Sequence, residues 1–280
     1  MNKLNLEKQT QIIKVLCEGN SIRSTARITD TAINTVVKLL RDVGGACLVY
    51  QDKVMHNLLC QKLQCDEIWS FVYAKTKNVP EEHDGKFGFG DVWTFTAIDS
   101  ETKLVPCWKV GMRDVDCAYE FISDLKTRLA NRVQLTTDGH GMYLEAVEHA
   151  FGTEIDFAQL VKRYGQEPES EKRYSPAKCI GADKRIIQGR PDTAKISTSY
   201  VERQNLTMRM CMRRFTRLTN AFSKKLENHV LALALYFMYY NFARPHKSLA
   251  NPYPATPSMA AGVSDHIWTI EEITGLVNSV

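Results

Sequence analysis

A single acidic residue, Glu202, lies at the start of a long basic stretch. Between Arg203 and Lys225 the sequence has five arginines, two lysines and no aspartate or glutamate. Such a local concentration of positive charge suits a polyanion, and a lone carboxylate within it invites a metal ion. The net charge of the whole chain is only +4, so binding to nucleic acid has to depend on local clusters of this kind.

Two aspartates lie in settings that favour the same chemistry. Asp66 lies in 63–73, a stretch rich in strand formers, and Asp138 follows the strand-like run 132–137. An α/β sheet presents ligand groups at the carboxyl ends of its strands. Three carboxylates converging from two strands and a helix can hold two divalent cations, Mg²⁺ or Mn²⁺, about 3.5 to 4 Å apart, for phosphoryl transfer. Glycosidase chemistry needs only two carboxylates, and the basic stretch favours phosphate instead.

Three other titratable residues compete for a place in such a site. Asp99 lies in a predicted hairpin turn, where hydrogen bonding to the turn backbone explains it. Glu67 is adjacent to Asp66, and since neighbouring strand residues point to opposite faces, only one of the two is expected to face the metals. His140 follows the glycine turn after the second aspartate, where it could orient a water or contact a phosphate, or else cap a helix.

The amino-terminal residues have the apolar periodicity of three short helices. Ser21 is placed to cap the second helix, and the third starts near Thr31. The third helix is predicted to turn inward Ile33, Val36, Val37 and Leu40, and outward Asn34, Thr35, Lys38 and Arg41. This pattern is typical of a helix-turn-helix, whose last helix enters the major groove of DNA, and the outward side chains are able to bind bases and phosphates. The alternative is a three-helix bundle that contacts another protein.

Six short sequence motifs occur in a defined order along the chain. They are CDEIWSFV at 65–72, TDG at 137–139, VERQNLTMR at 201–209 and FSKK at 222–225, preceded by TARI at 25–28 and INTV at 33–36. In this order they resemble transposases of the bacterial insertion sequence one family, members of the superfamily that carries an Asp-Asp-Glu triad on a ribonuclease H-like fold. The resemblance extends over about 10–160 and 197–275.

The resemblance implies roles for individual residues. Asp66, Asp138 and Glu202 correspond to the catalytic metal ligands, and it is this correspondence that favours Asp66 over its neighbour. Arg209, two helical turns after Glu202, corresponds to a basic residue that contacts DNA. The DNA-contacting residues implied or predicted for this region are Arg203, Arg209 and Arg213.

The resemblance also implies an activity. The implied reaction depends on Mg²⁺ or Mn²⁺ and has two steps. Water first attacks a phosphodiester at an element end, and the freed 3′ hydroxyl then attacks target DNA. The implied partner is double-stranded DNA, at element ends and target, bound by a homodimer or higher oligomer. Two alternatives stay open: a ribonuclease H-like nuclease without strand transfer, and a helix-turn-helix regulator that has lost catalysis.

The predicted fold class is α/β, with a ribonuclease H-like core behind an all-α domain. We expect a helix-turn-helix domain at 1–43, a linker at 44–62, a catalytic domain at 63–250 and a tail with a short helix at 251–280. Within the core, three antiparallel strands, a helix, a strand, a helix and a strand are expected to build a five-stranded mixed sheet. The polar segment at about 165–197 is interpreted as an insertion, either a DNA clamp or a surface loop. The string YNFARPHKSL at 240–249 resembles a closing motif of such enzymes and also predicts a helix end.

Composition agrees with a globular protein that acts in the cytoplasm, associated with the nucleoid. Hydrophobic residues make up 44% and charged residues 24% of the 280 positions. The eight cysteines include no C-x2-C pair, which argues against the zinc finger that family members commonly carry and favours reduced thiols. The longest apolar run, at 230–240, is too short to span a bilayer, so no membrane partner is expected.

Overall fold

A mixed sheet forms the centre of the molecule. The computed structural model describes residues 4–165, 179–216, 220–249 and 252–278. Its strands are β1 (Lys62–Val72), β2 (Gly90–Asp99), β3 (Cys107–Gly111), β4 (Val133–Asp138), β5 (Ile155–Tyr164) and β6 (Cys179–Gln188). Their order across the sheet is β3-β2-β1-β4-β5-β6. β1 and β5 are parallel to β4, whereas the β1–β2, β2–β3 and β5–β6 pairs are antiparallel.

Helices precede, connect and follow the strands. They are α1 (Leu6–Cys17), α2 (Ile22–Ile28), α3 (Ile33–Val54), α4 (Val115–Arg128), α5 (Met142–Phe151), α6 (Ser199–Cys211), α7 (Leu226–Met238), α8 (Pro257–Ala260) and α9 (Ile270–Gly275). A π-helical turn, Tyr239–Ala243, extends α7. Within the described ranges, no helix has both the length and the hydrophobicity required to cross a bilayer.

The predicted order of three strands, a helix, a strand, a helix and a strand is confirmed from β1 to β5. The sixth strand was not predicted. β6 lies inside the segment interpreted as an insertion, and it pairs with β5 as an edge strand. Its residues are exposed at almost every position, so the sequence carries no alternation of buried and exposed residues to mark a strand. Part of that polar segment, 166–178, lies outside the described residues.

The amino-terminal helices share one hydrophobic core with the sheet, and that core includes residues from Ile12 to Leu276. α3 runs without interruption through position 43, where a domain boundary was predicted, and residues 44–54 belong to it. Gly44 lies against α7, where an added Cβ would be only 2.3 Å from the carbonyl oxygen of Leu231. The two helix backbones therefore approach closely because this position has no side chain. The division of the chain into domains stays a prediction.

The closing motif holds the end of α7 to the chain before β3. Asn241 is fully buried, and its Oδ1 accepts a hydrogen bond from the Val105 N–H at 3.0 Å. Its Nδ2 donates to the Val105 carbonyl oxygen, also at 3.0 Å. One side-chain amide thus satisfies both backbone groups of a buried residue, which would be costly to leave unpaired.

Candidate active site

Strand register places two predicted carboxylates side by side. β1 and β4 are parallel neighbours, and Cys65 of β1 is paired with Thr137 of β4. The next residue in each strand is an aspartate, so Asp66 and Asp138 occupy adjacent positions at one level of the sheet. β4 ends at Asp138, the carboxyl end where α/β sheets present ligand groups.

The helix α6 brings the third predicted acid to the same place. Gln64 of β1 fixes the first turn of α6, because its Oε1 accepts the backbone N–H groups of Tyr200 at 2.8 Å and Val201 at 3.2 Å. Glu202 follows on this turn. It lines a cleft of about 530 Å³ together with Asp66 and Asp138. We call this the carboxylate cleft.

Sequence reasoning missed Asn205, which lies one helical turn after Glu202. Its Nδ2 donates a hydrogen bond to Asp66 Oδ2 at 2.9 Å, while the backbone N–H of Glu67 donates to Asp66 Oδ1 at 2.8 Å. The Asp66 carboxylate is therefore held from both sides. The sequence contained one indication of this role, because Asn205 is a polar residue three positions after Glu202 and therefore lies on the same helix face.

Glu67 corrects one expectation. Oxygens of Asp66, Glu67 and Asp138 lie within 4.8 Å of one another, although only one residue of the adjacent pair was expected near the metals. The Glu67 carboxylate thus lies close to the carboxyl end of β4, where Asp138 is located. That carboxylate is fully buried, and Oε2 accepts from Nε and Nη2 of Arg113 at 3.3 and 3.2 Å.

Crowding of carboxylates changes their protonation. Burial, together with the charges of Glu67, Asp138 and Glu202, raises the pKa of Asp66 to about 7. The pKa of Glu67 is also raised, mainly by burial, against the opposing effect of Tyr143 and Arg113. The cleft thus concentrates negative charge whose repulsion a cation would relieve.

Glu202 has a cationic partner of its own. The Lys162 ammonium of β5 contacts Glu202 Oε1, and the Thr198 hydroxyl donates to the same oxygen. Lys162 and Thr198 both line the carboxylate cleft. A positive side chain therefore already neutralises the acid contributed by α6.

The donor set fits a divalent cation. The clustered ligand atoms are carboxylate oxygens within 4.8 Å of one another, the hard donors that Mg²⁺ and Mn²⁺ prefer. Glu202 borders the same cleft, and its use as a ligand would require Lys162 to withdraw.

The other acid and the histidine considered from sequence have structural roles. Asp99 stabilises its turn, since Oδ2 accepts from the backbone N–H of Thr102 at 2.9 Å and from its hydroxyl at 2.7 Å. His140 lies beside the carboxylate cleft, where its backbone N–H donates to Asp138 Oδ1 at 3.0 Å. Its Nδ1 accepts from the N–H of Met142, the first residue of α5. The helix-capping interpretation therefore describes this contact.

The residues predicted to bind DNA on α3 lie on its surface. Asn34, Lys38 and Arg41 are exposed, and Thr35 is half-buried. Arg41 Nη2 contacts Glu227 Oε1 of α7 at 2.6 Å, and Lys38 forms an ion pair with Asp42. Ile33, expected to be inward, is 48% exposed, because it begins α3 and lies at the edge of the packed helix face.

The basic run that follows Glu202 extends beyond the end of α6. α6 ends at Cys211 because Met212 has extended backbone angles. Arg213 therefore lies in the following short 3-10 helix, Arg213–Phe215, and does not continue the face of Glu202. Arg203 is exposed and Arg209 is half-buried. Arg217, also in the basic run, lies outside the described residues.

Comparisons with known proteins give structural likenesses and no sequence match. No protein-family model matches the chain, and neither does any curated protein sequence. A piggyBac transposase synaptic complex with hairpin DNA is 10% identical, with a TM-score of 0.42 over 99% of this chain and 71% of that one. The Mos1 strand transfer complex is 12% identical, with a TM-score of 0.26 over 84% and 78%. A pre-cleavage Mos1 transpososome is 9% identical, with a TM-score of 0.22 over 56% and 60%. These low identities and TM-scores assign no family, and the chain is described by its own fold, a mixed α/β protein with helices around a six-stranded sheet.

Proposed function

We propose that this protein is a DNA transposase with a ribonuclease H-like catalytic core, and that it cuts and joins DNA at the carboxylate cleft. The observation that carries the proposal is the convergence of Asp66, Asp138 and Glu202 on one cleft from β1, β4 and α6. Three acids from three separate segments were selected by the resemblance, and their meeting in one cleft at the carboxyl end of β4 supports the assignment.

The chain's own residues have defined tasks in this proposal. Asp66, Asp138 and Glu202 would hold the metal ions, which would activate the attacking oxygen and stabilise the leaving oxygen of a phosphodiester. Asn205 orients the Asp66 carboxylate through its hydrogen bond. The exposed Arg203, which directly follows Glu202, would supply positive charge for the DNA backbone. Arg209 of the same helix and the exposed Arg213 beyond its end would extend this charge along the basic run.

DNA recognition is assigned to the amino-terminal helices. We assign base reading to the exposed start of α3, at Asn34, Thr35 and Lys38. Arg41 takes part only after leaving Glu227, with which it is paired. Binding at two element ends would bring together at least two copies of the chain.

The test is cleavage and joining of a labelled element end with Mg²⁺ or Mn²⁺. Asp66→Asn, Asp138→Asn and Glu202→Gln are each expected to lower cleavage by about 1000-fold or more, because each removes a proposed metal ligand. DNA binding should stay within a few-fold of wild type. Asp156→Asn is the matched control, since Asp156 pairs with Arg132 at the opposite end of the sheet.

Each outcome has a distinct meaning. Near-wild-type cleavage by one variant would remove that residue from the triad. Cleavage by the wild-type protein without joining of the 3′ end to target DNA would indicate a nuclease. Specific binding to element ends without any cleavage would indicate a regulator.

A further inference from the structure

Arg113 is a basic residue at the edge of the carboxylate cleft that no sequence motif identified. It lies between β3 and α4, and its Nη2 is 4.0 Å from Asp138 Oδ2. Its side chain is 35% exposed. Among the described residues, Nη1 has no hydrogen-bond partner, whereas Nε and Nη2 both bind Glu67. The guanidinium edge formed by Nε and Nη2 is thus bound to Glu67, whereas the edge that includes Nη1 can bind another group.

Several contacts fix this guanidinium in position. The buried Glu67 carboxylate binds it from within the sheet, and Cζ lies 4.7 Å from the centroid of the Trp93 ring. The backbone on either side is also held. Asp114 caps α4 by accepting from the N–H of Cys117 at 2.9 Å. Gly111 packs so closely on Cys117 that an added Cβ would be 2.5 Å from its Sγ.

The Oε2 atom of Glu67 is better suited to hold Arg113 than to bind a metal ion. It already accepts two guanidinium N–H groups, and a metal at that oxygen would bring a second cation against the first. Loss of the arginine would instead leave a buried, uncompensated carboxylate, which is costly. The pair therefore places a fixed positive charge beside Asp138.

A polyanion needs such a charge at this point. The cleft and its rim carry four carboxyl groups, those of Asp66, Glu67, Asp138 and Glu202. A phosphate that approaches Asp138 meets their combined field. A rigid, planar guanidinium is suited to bind phosphate oxygens through two parallel hydrogen bonds.

We propose that Arg113 binds a phosphate group of the DNA strand next to Asp138, and that Glu67 and Trp93 hold it in place for this contact. This inference rests on the proposed function, because it takes DNA as the substrate of the cleft. Arg113 would be a substrate-binding residue, and Glu67 a positioning residue that acts through it.

The test measures binding of a short element-end duplex in EDTA, where metal-dependent cleavage is absent, at several salt concentrations. Arg113→Ala is expected to weaken binding at least 5-fold and to lower the slope of log affinity against log salt by about one phosphate contact. Arg113→Lys keeps the charge that Glu67 needs but cannot donate two parallel hydrogen bonds. It should fold like wild type and recover only part of the binding. Arg132→Ala, at the far end of β4, is the matched control and should leave the salt slope unchanged.

Glu67→Gln tests the positioning role. It should weaken binding less than Arg113→Ala does, and the double variant should bind no more weakly than Arg113→Ala alone. An unchanged salt slope in Arg113→Ala, or full recovery in Arg113→Lys, would overturn the inference. If Arg113→Ala lowers the salt slope of DNA binding but the wild-type protein does not cut DNA, the inference stands and the proposed activity fails. Absence of DNA binding by the wild-type protein would overturn both.

Discussion

At the residue scale, the carboxylate cleft already contains a side-chain cation where a metal ion is proposed to bind. The Lys162 ammonium contacts Glu202, so metal binding at that acid has to displace it. Lys162→Met removes the charge and keeps most of the side-chain length. We expect Mn²⁺ to bind about 3- to 10-fold more tightly to this variant, because the repulsion between ammonium and metal is lost. Calorimetric titration of Mn²⁺ without DNA measures the change.

The neighbouring strand offers a control for this prediction. Lys184 of β6 is in register with Leu160, and its ammonium donates to the Thr193 carbonyl oxygen, not to a carboxylate of the cleft. Lys184→Met should therefore leave Mn²⁺ affinity unchanged. Equal or weaker affinity in Lys162→Met than in wild type would show that the lysine does not compete with metal at Glu202.

The sequence predicted the residues of the cleft only in part. Asp138 could be predicted because a glycine turn marks the strand end where carboxylates are presented. Asp66 could be predicted because strand propensity marks the strand that carries it, and the resemblance favoured it over its neighbour. Gln64, Asn205 and Arg113 could not. Each acts through long-range contacts, to α6, β1 and Glu67 respectively, and no periodic pattern records such contacts.

At the element scale, the close crossing of α3 and α7 explains why a helix continues through a pair of glycines. A Gly-Gly pair ordinarily indicates a turn or a helix end, but α3 continues through Gly44 and Gly45. Only the first of them faces α7. β6 was not predicted because a strand exposed on both faces lacks the alternation of buried and exposed residues that identifies strands.

The two glycines make a matched pair of variants. Gly44→Ala should lower the free energy of unfolding by about 2 kcal/mol or more, because its Cβ would overlap the backbone of α7. Gly45→Ala meets no atom within 4 Å and should raise the free energy of unfolding by about 0.5 to 1 kcal/mol, the usual gain of alanine over glycine within a helix. Urea unfolding measures both. Similar effects of the two substitutions would contradict the crossing described here.

At the scale of the whole molecule, a histidine in the core makes stability depend on pH. His229 is fully buried next to Ser70, and burial, assisted by the charge of Arg214, lowers its pKa to about 3. The unfolded chain takes up a proton near the ordinary value of 6.5, whereas the folded protein does not. The contribution of His229 is therefore fully present above pH 6.5 and is lost as the pH falls toward 3. At pH 5 the loss is about 2 kcal/mol.

The measurement compares the free energy of unfolding at pH 7 and pH 5. His229→Gln cannot titrate, so on going from pH 7 to pH 5 its free energy of unfolding should change by about 2 kcal/mol in the stabilising direction relative to the change in wild type. Asp66, whose pKa is raised to about 7, acts in the opposite direction over this range, but it is common to both proteins and cancels in the comparison. His56→Gln, at an exposed position, should retain the wild-type dependence. If His229→Gln also retained it, the histidine would not be the source.

The unbroken course of α3 has a mechanical consequence. A helix of 22 residues is about 33 Å long. Its first two turns carry the side chains assigned to base reading, and its second half packs closely against α7 at Gly44. Under the proposed function, α3 fixes the distance between the DNA-recognition residues and the catalytic site. The site that is read and the bond that is cut would be separated by a set span of rigid protein, so the position of the cut would be measured from the recognised sequence.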